Sequence, residues 1–137
     1  MSPEPQPDRL KILIADDEED ILSVLAKKLR EAGHDVVPAA DGIQAWDLAQ
    51  REHPDLFILD LHMPGKDGFT LLKDLRDRPW DKKWRPVIIV SAQNELDSYR
   101  KGFDFDADHY LSKPCRVEEV LSAVALMARL IPLRQEG

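Results

Sequence analysis

Short apolar runs alternate with amphipathic stretches along the whole chain. Leu10–Ala15 (LKILIA) and Asp55–Asp60 (DLFILD) read as strands, the second almost unbroken in apolar character and ending on an acid. Arg85–Ser91 (RPVIIVS) is the run richest in β-branched residues, and Asp108–Ser112 (DHYLS) is a shorter one. Asp35–Ala39 (DVVPA) carries a proline that suits an edge strand, since proline cannot donate to a ladder on both sides. Between the strands, Ile21, Leu22, Leu25 and Leu29 recur at helical spacing over Glu19–Ala32, and Gly33 supplies a stop. Asp41 is placed to cap a helix over Ile43–Arg51. Asp67–Arg78, Asn94–Lys101 and Arg116–Ile131 give three more helices, the last expected to end at Pro132. Strict alternation of helices with strands too apolar to be wetted on one face means a parallel sheet covered on both sides. The expected fold class is therefore α/β, a (βα)5 doubly wound parallel sheet. Strand order 2-1-3-4-5 is expected from the fold type rather than derived from these residues. One domain is expected over residues 10–131, with 1–9 and 132–137 as loose ends.

Composition narrows the class. At 137 residues there is material for one core and not two. Hydrophobic residues at 43% and charged residues at 33% describe a globular chain rather than a disordered one. A net charge of -7 argues against a phosphate backbone or an anionic membrane as the main partner. Neither direct nucleic-acid binding nor membrane insertion is expected, and no apolar run approaches the ~18 residues of a spanning helix. The first ten residues hold prolines and acids without an apolar stretch, so no signal peptide is read. A single cysteine suits a reducing compartment, and a cytoplasmic location is expected.

In a sheet of this kind, chemistry collects at the carboxyl ends of the strands. Those ends carry Asp16-Asp17, Asp60, Ser91-Ala92 and Lys113-Pro114. With strands one and three adjacent, three carboxylates share one pocket. Two like charges about 4.5 Å apart repel by roughly 4 kcal/mol at an effective dielectric near 20, so the cluster calls for a cation. All-oxygen donors suit Mg²⁺. Each feature alone has a plainer reading. Asp16-Asp17-Glu18 could simply complement a helix dipole, Ser91 could be an ordinary strand-end hydroxyl, and Lys113 a solvated lysine before a turn. Their joint position on the strand ends of one sheet outweighs those readings.

Ile12–Glu18 (ILIADDE), Asp55–Phe69 (DLFILDLHMPGKDGF), Val87–Ala92 (VIIVSA) and Tyr110–Pro114 (YLSKP) together resemble the receiver domains of two-component response regulators, across about Lys11–Arg129. The resemblance implies the flavodoxin-like form of the fold and a phosphoryl transfer onto Asp60 from a histidine kinase or histidine phosphotransfer protein. It further implies Mg²⁺ bound by Asp17, Asp60 and the backbone carbonyl of His62, with Asp16 assisting. Ser91, Ala92 and Lys113 would surround the phosphoryl oxygens, and His62 and Gln93 would tune the lifetime of the acyl phosphate. Ser91 and Tyr110 would form the conformational switch, read by a protein effector on the face of the fourth helix, fifth strand and fifth helix. Such a domain catalyses only its own Mg²⁺-dependent phosphorylation and dephosphorylation and is not an enzyme acting on a separate substrate.

Several positions depart from the family pattern or stand outside it. Cys115 takes the place of a large apolar residue and reads as a small buried hydrophobe. Asp106, in Phe103–Asp106, stands where glycine is usual. Ala123 stands where the DNA-binding branch has an arginine for a dimer salt bridge, while Leu126 and Leu130 widen the apolar stripe of the last helix, so a homodimer is left open. Trp80 and Trp84 are expected to pack down the loop before the fourth strand. His34, His53 and His109 show no ligand spacing. A haloacid-dehalogenase-type phosphatase would need a second acid two residues past its nucleophile, where His62 stands. A pseudo-receiver would lack the acceptor, an acid or the lysine, and none is lacking. A stand-alone receiver is favoured over the cut-out receiver of a larger regulator.

Overall fold

Successive side chains of a strand point to opposite faces of its sheet, and here that alternation sorts the apolar residues into two cores. A computed structural model describes residues 9–102 and 107–135. Its elements run β1 (Lys11–Ala15), α1 (Glu19–Glu31), β2 (Asp35–Ala39), α2 (Gly42–Glu52), β3 (Leu56–Leu59), α3 (Gly68–Arg76), β4 (Val87–Ala92), α4 (Gln93–Gly102), β5 (His109–Lys113) and α5 (Val117–Gln135). All strand pairs are parallel, in the order β2-β1-β3-β4-β5. Ile12, Ile14, Leu56, Ile58, Ile88 and Val90 face α1 and α5 on one side. Leu13, Ala15, Phe57, Leu59, Val87 and Ile89 face residues of α2, α3 and α4 on the other. The expected doubly wound architecture and strand order are both present, and Pro38 does lie on an edge strand. No helix among the described residues is long and apolar enough to cross a membrane.

Helix ends follow local chemistry. Asp41 caps α2 by accepting from the Gln44 N–H at 2.7 Å, and Asp67 caps α3 by accepting from Thr70 at 2.8 Å. The helix expected from Asp67 therefore begins one residue later. After α1, Gly33 at φ +103° lets its own N–H reach the Arg30 carbonyl and that of His34 the Leu29 carbonyl, the two bonds of a Schellman stop. The expected end of the last helix at Ile131 is corrected: α5 continues through Pro132 to Gln135. Proline there forfeits one N–H bond, while Leu130 and Ile131 pack on the core and hold the helix on course. The departure noted at Phe103–Asp106 lies outside the described residues.

At the end of the sheet away from the strand tips, Asp108 gathers the Val87 N–H at 2.8 Å, Arg76 at 2.9 Å and the Trp84 indole N–H at 3.1 Å. Trp84 thus holds down the loop before β4 as expected, and Trp80 stacks on His53 with ring centroids 4.8 Å apart. Close packing reaches the other end through α3. A Cβ on Gly68 would lie 2.2 Å from the Asp60 carbonyl oxygen, so the start of α3 rests directly on the backbone that carries Asp60. Gly68→Ala is expected to cost about 1–3 kcal/mol in urea unfolding, the range for overpacking a rigid contact. An unchanged midpoint would show that α3 is free to move away.

Candidate functional site

The ladder delivers Asp60 and Asp16 side by side. Ala15 and Leu59 are register partners, and each strand runs one residue further with its N–H still bonded: Asp60 to the Ala15 carbonyl at 2.9 Å, Asp16 to the Ala39 carbonyl at 3.1 Å. Both side chains are buried, with Asp16 3% and Asp60 5% exposed, while Asp17 is open to solvent. One carboxylate oxygen from each of the three lies within 4.8 Å of the others. At that separation each pair repels by roughly 3–4 kcal/mol at an effective dielectric near 20.

Lys113 answers that repulsion. Its Nζ donates to Asp16 Oδ2 at 2.9 Å, Asp60 Oδ2 at 2.9 Å and Glu18 Oε1 at 3.0 Å. Ala92 and Lys113 are register partners, so β5 presents the lysine beside the end of β4 and the side chain reaches across to the tips of β3 and β1. The opposite oxygen of Asp60, Oδ1, accepts the Ser91 hydroxyl at 3.0 Å and the His62 N–H at 3.1 Å. Asp16 Oδ1 accepts the Glu18 N–H at 2.9 Å.

The two ends of the Asp16–Lys113 pair respond differently to this arrangement. Burial pulls the Lys113 pKa down, but hydrogen bonds to Asp60, Asp16 and Glu18 outweigh it and hold it above the ordinary lysine value. The stability this contributes is fully present at neutral pH and is lost only as pH rises through the folded-state value. Asp16 is pushed up, first by burial and also by the Asp60 charge, against the opposing Glu18 N–H and Lys113. The ammonium gains three carboxylates, whereas the carboxylate gains one ammonium and loses most of its water.

Beside these groups opens a cleft of about 580 Å³ lined by Glu18, Ala92, Lys113 and Pro114, with an apolar wall that includes Ile21, Val24 and Val117. Cys115 borders it half-buried, its thiol pushed up chiefly by burial, which agrees with a small packed hydrophobe. The structure brings together Asp16, Asp17, Asp60, Ser91 and Lys113, with Ala92 on the cleft wall and the exposed His62 joined to Asp60 by its N–H. Gln93 heads α4 and its amide donates along that helix to Asp97 at 2.9 Å. Tyr110 is half-buried against the core on the α2–α3 side. In the sequence Glu18 stands only as the third acid of Asp16-Asp17-Glu18, and its bond to Lys113 has no signature in spacing.

The sequence model of the response regulator receiver domain matches residues 12–125. The chain belongs to the response-regulator receiver domain family. This receiver is 41% identical over 121 residues to the DNA-binding dual master transcriptional regulator RpaA of Synechocystis, and 37% identical over 119 residues to the alkaline phosphatase synthesis transcriptional regulatory protein PhoP of Bacillus subtilis. Those alignments cover 87% of this chain but only 49% and 48% of the two proteins, so the chain spans about half the length of the curated relatives it matches. The solved receiver domain of the sensor histidine kinase PA1611 from Pseudomonas aeruginosa has a magnesium ion coordinated in its active-site cleft. It matches with a TM-score of 0.77 and 27% identity, over 88% of this chain and 98% of that one. The chemotaxis response regulator CheY4 of Vibrio cholerae matches with a TM-score of 0.74 and 29% identity, over 85% and 98%.

The donor set fits such an ion: three carboxylates, two of them buried, with oxygen as the only ligand type. A test of the electrostatics needs no metal. Because the Asp16 pKa is raised in the folded state, its charge costs stability as pH climbs from the unfolded value of about 3.9. Asp16→Asn retains an acceptor for the Glu18 N–H and removes one charge from the cluster. Although it loses the acceptor for Lys113, its stability relative to the parent is expected to rise as pH climbs from about 4 to 7 without divalent cations, because the parent alone must ionise the raised carboxyl. Urea unfolding at several pH values measures this, and a pH-independent difference would contradict the assignment.

Proposed function

We propose that this receiver takes a phosphoryl group from the phosphohistidine of a histidine kinase or histidine phosphotransfer protein onto the Asp60 carboxylate. The N–P bond of the donor breaks, a P–O bond to Asp60 forms, and the freed imidazole takes up a proton. The observation that supports this best is Asp60 itself. It is a buried carboxylate held by Ser91 and Lys113 on opposite oxygens, with Asp16 and Asp17 within 4.8 Å. A carboxyl group held this way is positioned beside an ammonium and a hydroxyl, and positioning with charge compensation is most of what phosphoryl transfer asks of a protein.

Mg²⁺, when bound by Asp17, Asp60 and the His62 backbone carbonyl with Asp16 assisting, supplies positive charge to the phosphoryl oxygens. Lys113 offers its ammonium to the same oxygens, and Ser91 turns its hydroxyl from Asp60 Oδ1 towards them. Ala92 is small enough to let them approach the backbone after β4. His62 and Gln93 border the path by which water attacks the product and set its lifetime. Movement of Ser91 opens space behind β4 that Tyr110 fills, with its ring buried and its hydroxyl near water. The α4–β5–α5 face is redrawn, and a protein effector reads it. The same face serves a stand-alone receiver or the input part of a longer regulator. The reaction is self-modification in the cytoplasm rather than turnover of a separate substrate.

Acetyl phosphate with Mg²⁺ is expected to label Asp60, because the pocket supplies its own electrostatics. Asp60→Asn should remove the label, and Lys113→Ala should lower its yield at least several-fold. Peptide mapping by mass spectrometry reads the outcome; a label on another residue, or none, would overturn the proposal.

A further inference from the structure

Lys113 has three N–H bonds to give, and all three are spent on carboxylates. Two of the acceptors, Asp16 and Asp60, are also members of the cluster whose oxygens converge within 4.8 Å; Glu18 is not. A divalent cation entering that cluster would compete with the ammonium for Asp16 and Asp60 and would repel it. The only acceptor of Lys113 that stays clear of this competition is Glu18. Its carboxylate is 57% exposed at the mouth of the cleft, whereas the Lys113 side chain is 15% exposed. Glu18 also sits where α1 begins, and its own N–H is tied to Asp16 Oδ1 at 2.9 Å, so its position is fixed relative to the cluster.

We propose that Glu18 is a positioning residue that holds Lys113 at the cleft mouth, drawing the ammonium off Asp16 and Asp60 when a cation enters. Lys113 and the cation then share the pocket instead of excluding one another, and the ammonium stays where a phosphoryl group on Asp60 would meet it. The inference rests on the reading of this pocket as a cation site. It concerns a residue outside the cation's ligand set, and its effect runs entirely through Lys113. With the Glu18 carboxylate more than half exposed, this bond adds little to folding stability compared with what it does to the position of Lys113.

The test is a double-mutant cycle on Mg²⁺ affinity, measured by calorimetric titration of the full chain. Glu18→Gln keeps the shape of the side chain and removes its charge. It is expected to weaken Mg²⁺ binding about fivefold when Lys113 is present, and by less than about twofold in a Lys113→Met background. Asp20→Asn removes a neighbouring acid of the same cleft that has no bond to Lys113 and should cost less than about twofold in the parent. Glu18→Gln should also weaken beryllofluoride binding in the presence of saturating Mg²⁺, since the ammonium is no longer stationed at the mouth. Equal effects of Glu18→Gln in both backgrounds, or an effect matched by Asp20→Asn, would reduce Glu18 to one more negative charge and overturn the proposal. No Mg²⁺ binding by the parent would overturn the reading of the pocket as well, so the two failures are told apart.

Discussion

The structure turns on one ammonium among carboxylates. Asp16, Asp17 and Asp60 are brought within 4.8 Å by the register of a parallel ladder, not by any attraction between them. Left alone, such a group would spread apart or take up protons. Lys113 reaches Asp16 and Asp60 at 2.9 Å each and stands where a cation would otherwise be needed. The charge it neutralises is the same charge that makes the pocket useful. On the proposed function, the pocket attracts a dication and a phosphoryl donor, so its charge cannot be satisfied too well at rest.

The rest of the fold keeps that compromise in place. β1 and β3 fix the depth of Asp16 and Asp60, and the pairing of Ala92 with Lys113 brings the lysine in from the far side of β4. Gly68 lets α3 start against the Asp60 carbonyl, which ties the loop after Asp60 to the helix that follows it. The two apolar faces of the sheet pack on different helices, so β3 and β4 are covered on both sides and their tips present the chemistry. Asp108 secures the opposite end, well away from the site.

Much of this was legible in the sequence. Strand identities follow from short apolar and β-branched runs and helix identities from a period of about three and a half, and Asp41 and Gly33 marked helix ends by chemistry that is local, whereas the sequence pattern counts Asp67 inside the helix that it caps. The acids, the serine and the lysine were found because they close separate strands, a pattern that requires only the fold class. Pro132 misled, because its cost is local while the packing of Leu130 and Ile131 that outweighs it is tertiary. Glu18 was out of reach for a related reason: its partner Lys113 is 95 residues away in sequence and is selected by geometry alone. The turn of the Gln93 amide towards Asp97 is a rotamer choice that no pattern encodes.

The central claim is that Lys113 takes the place of a cation in the resting pocket. The direct measurement is the melting temperature of Lys113→Met beside the parent, each with and without millimolar Mg²⁺. Methionine keeps an unbranched apolar chain and drops the charge. The account predicts that the metal-free variant melts below the metal-free parent, because three carboxylates are left to repel one another. It also predicts a larger Mg²⁺-induced rise in the variant, because the ion no longer competes with the ammonium. A variant that melts at or above the parent without Mg²⁺, and gains no more from the ion than the parent does, would contradict it.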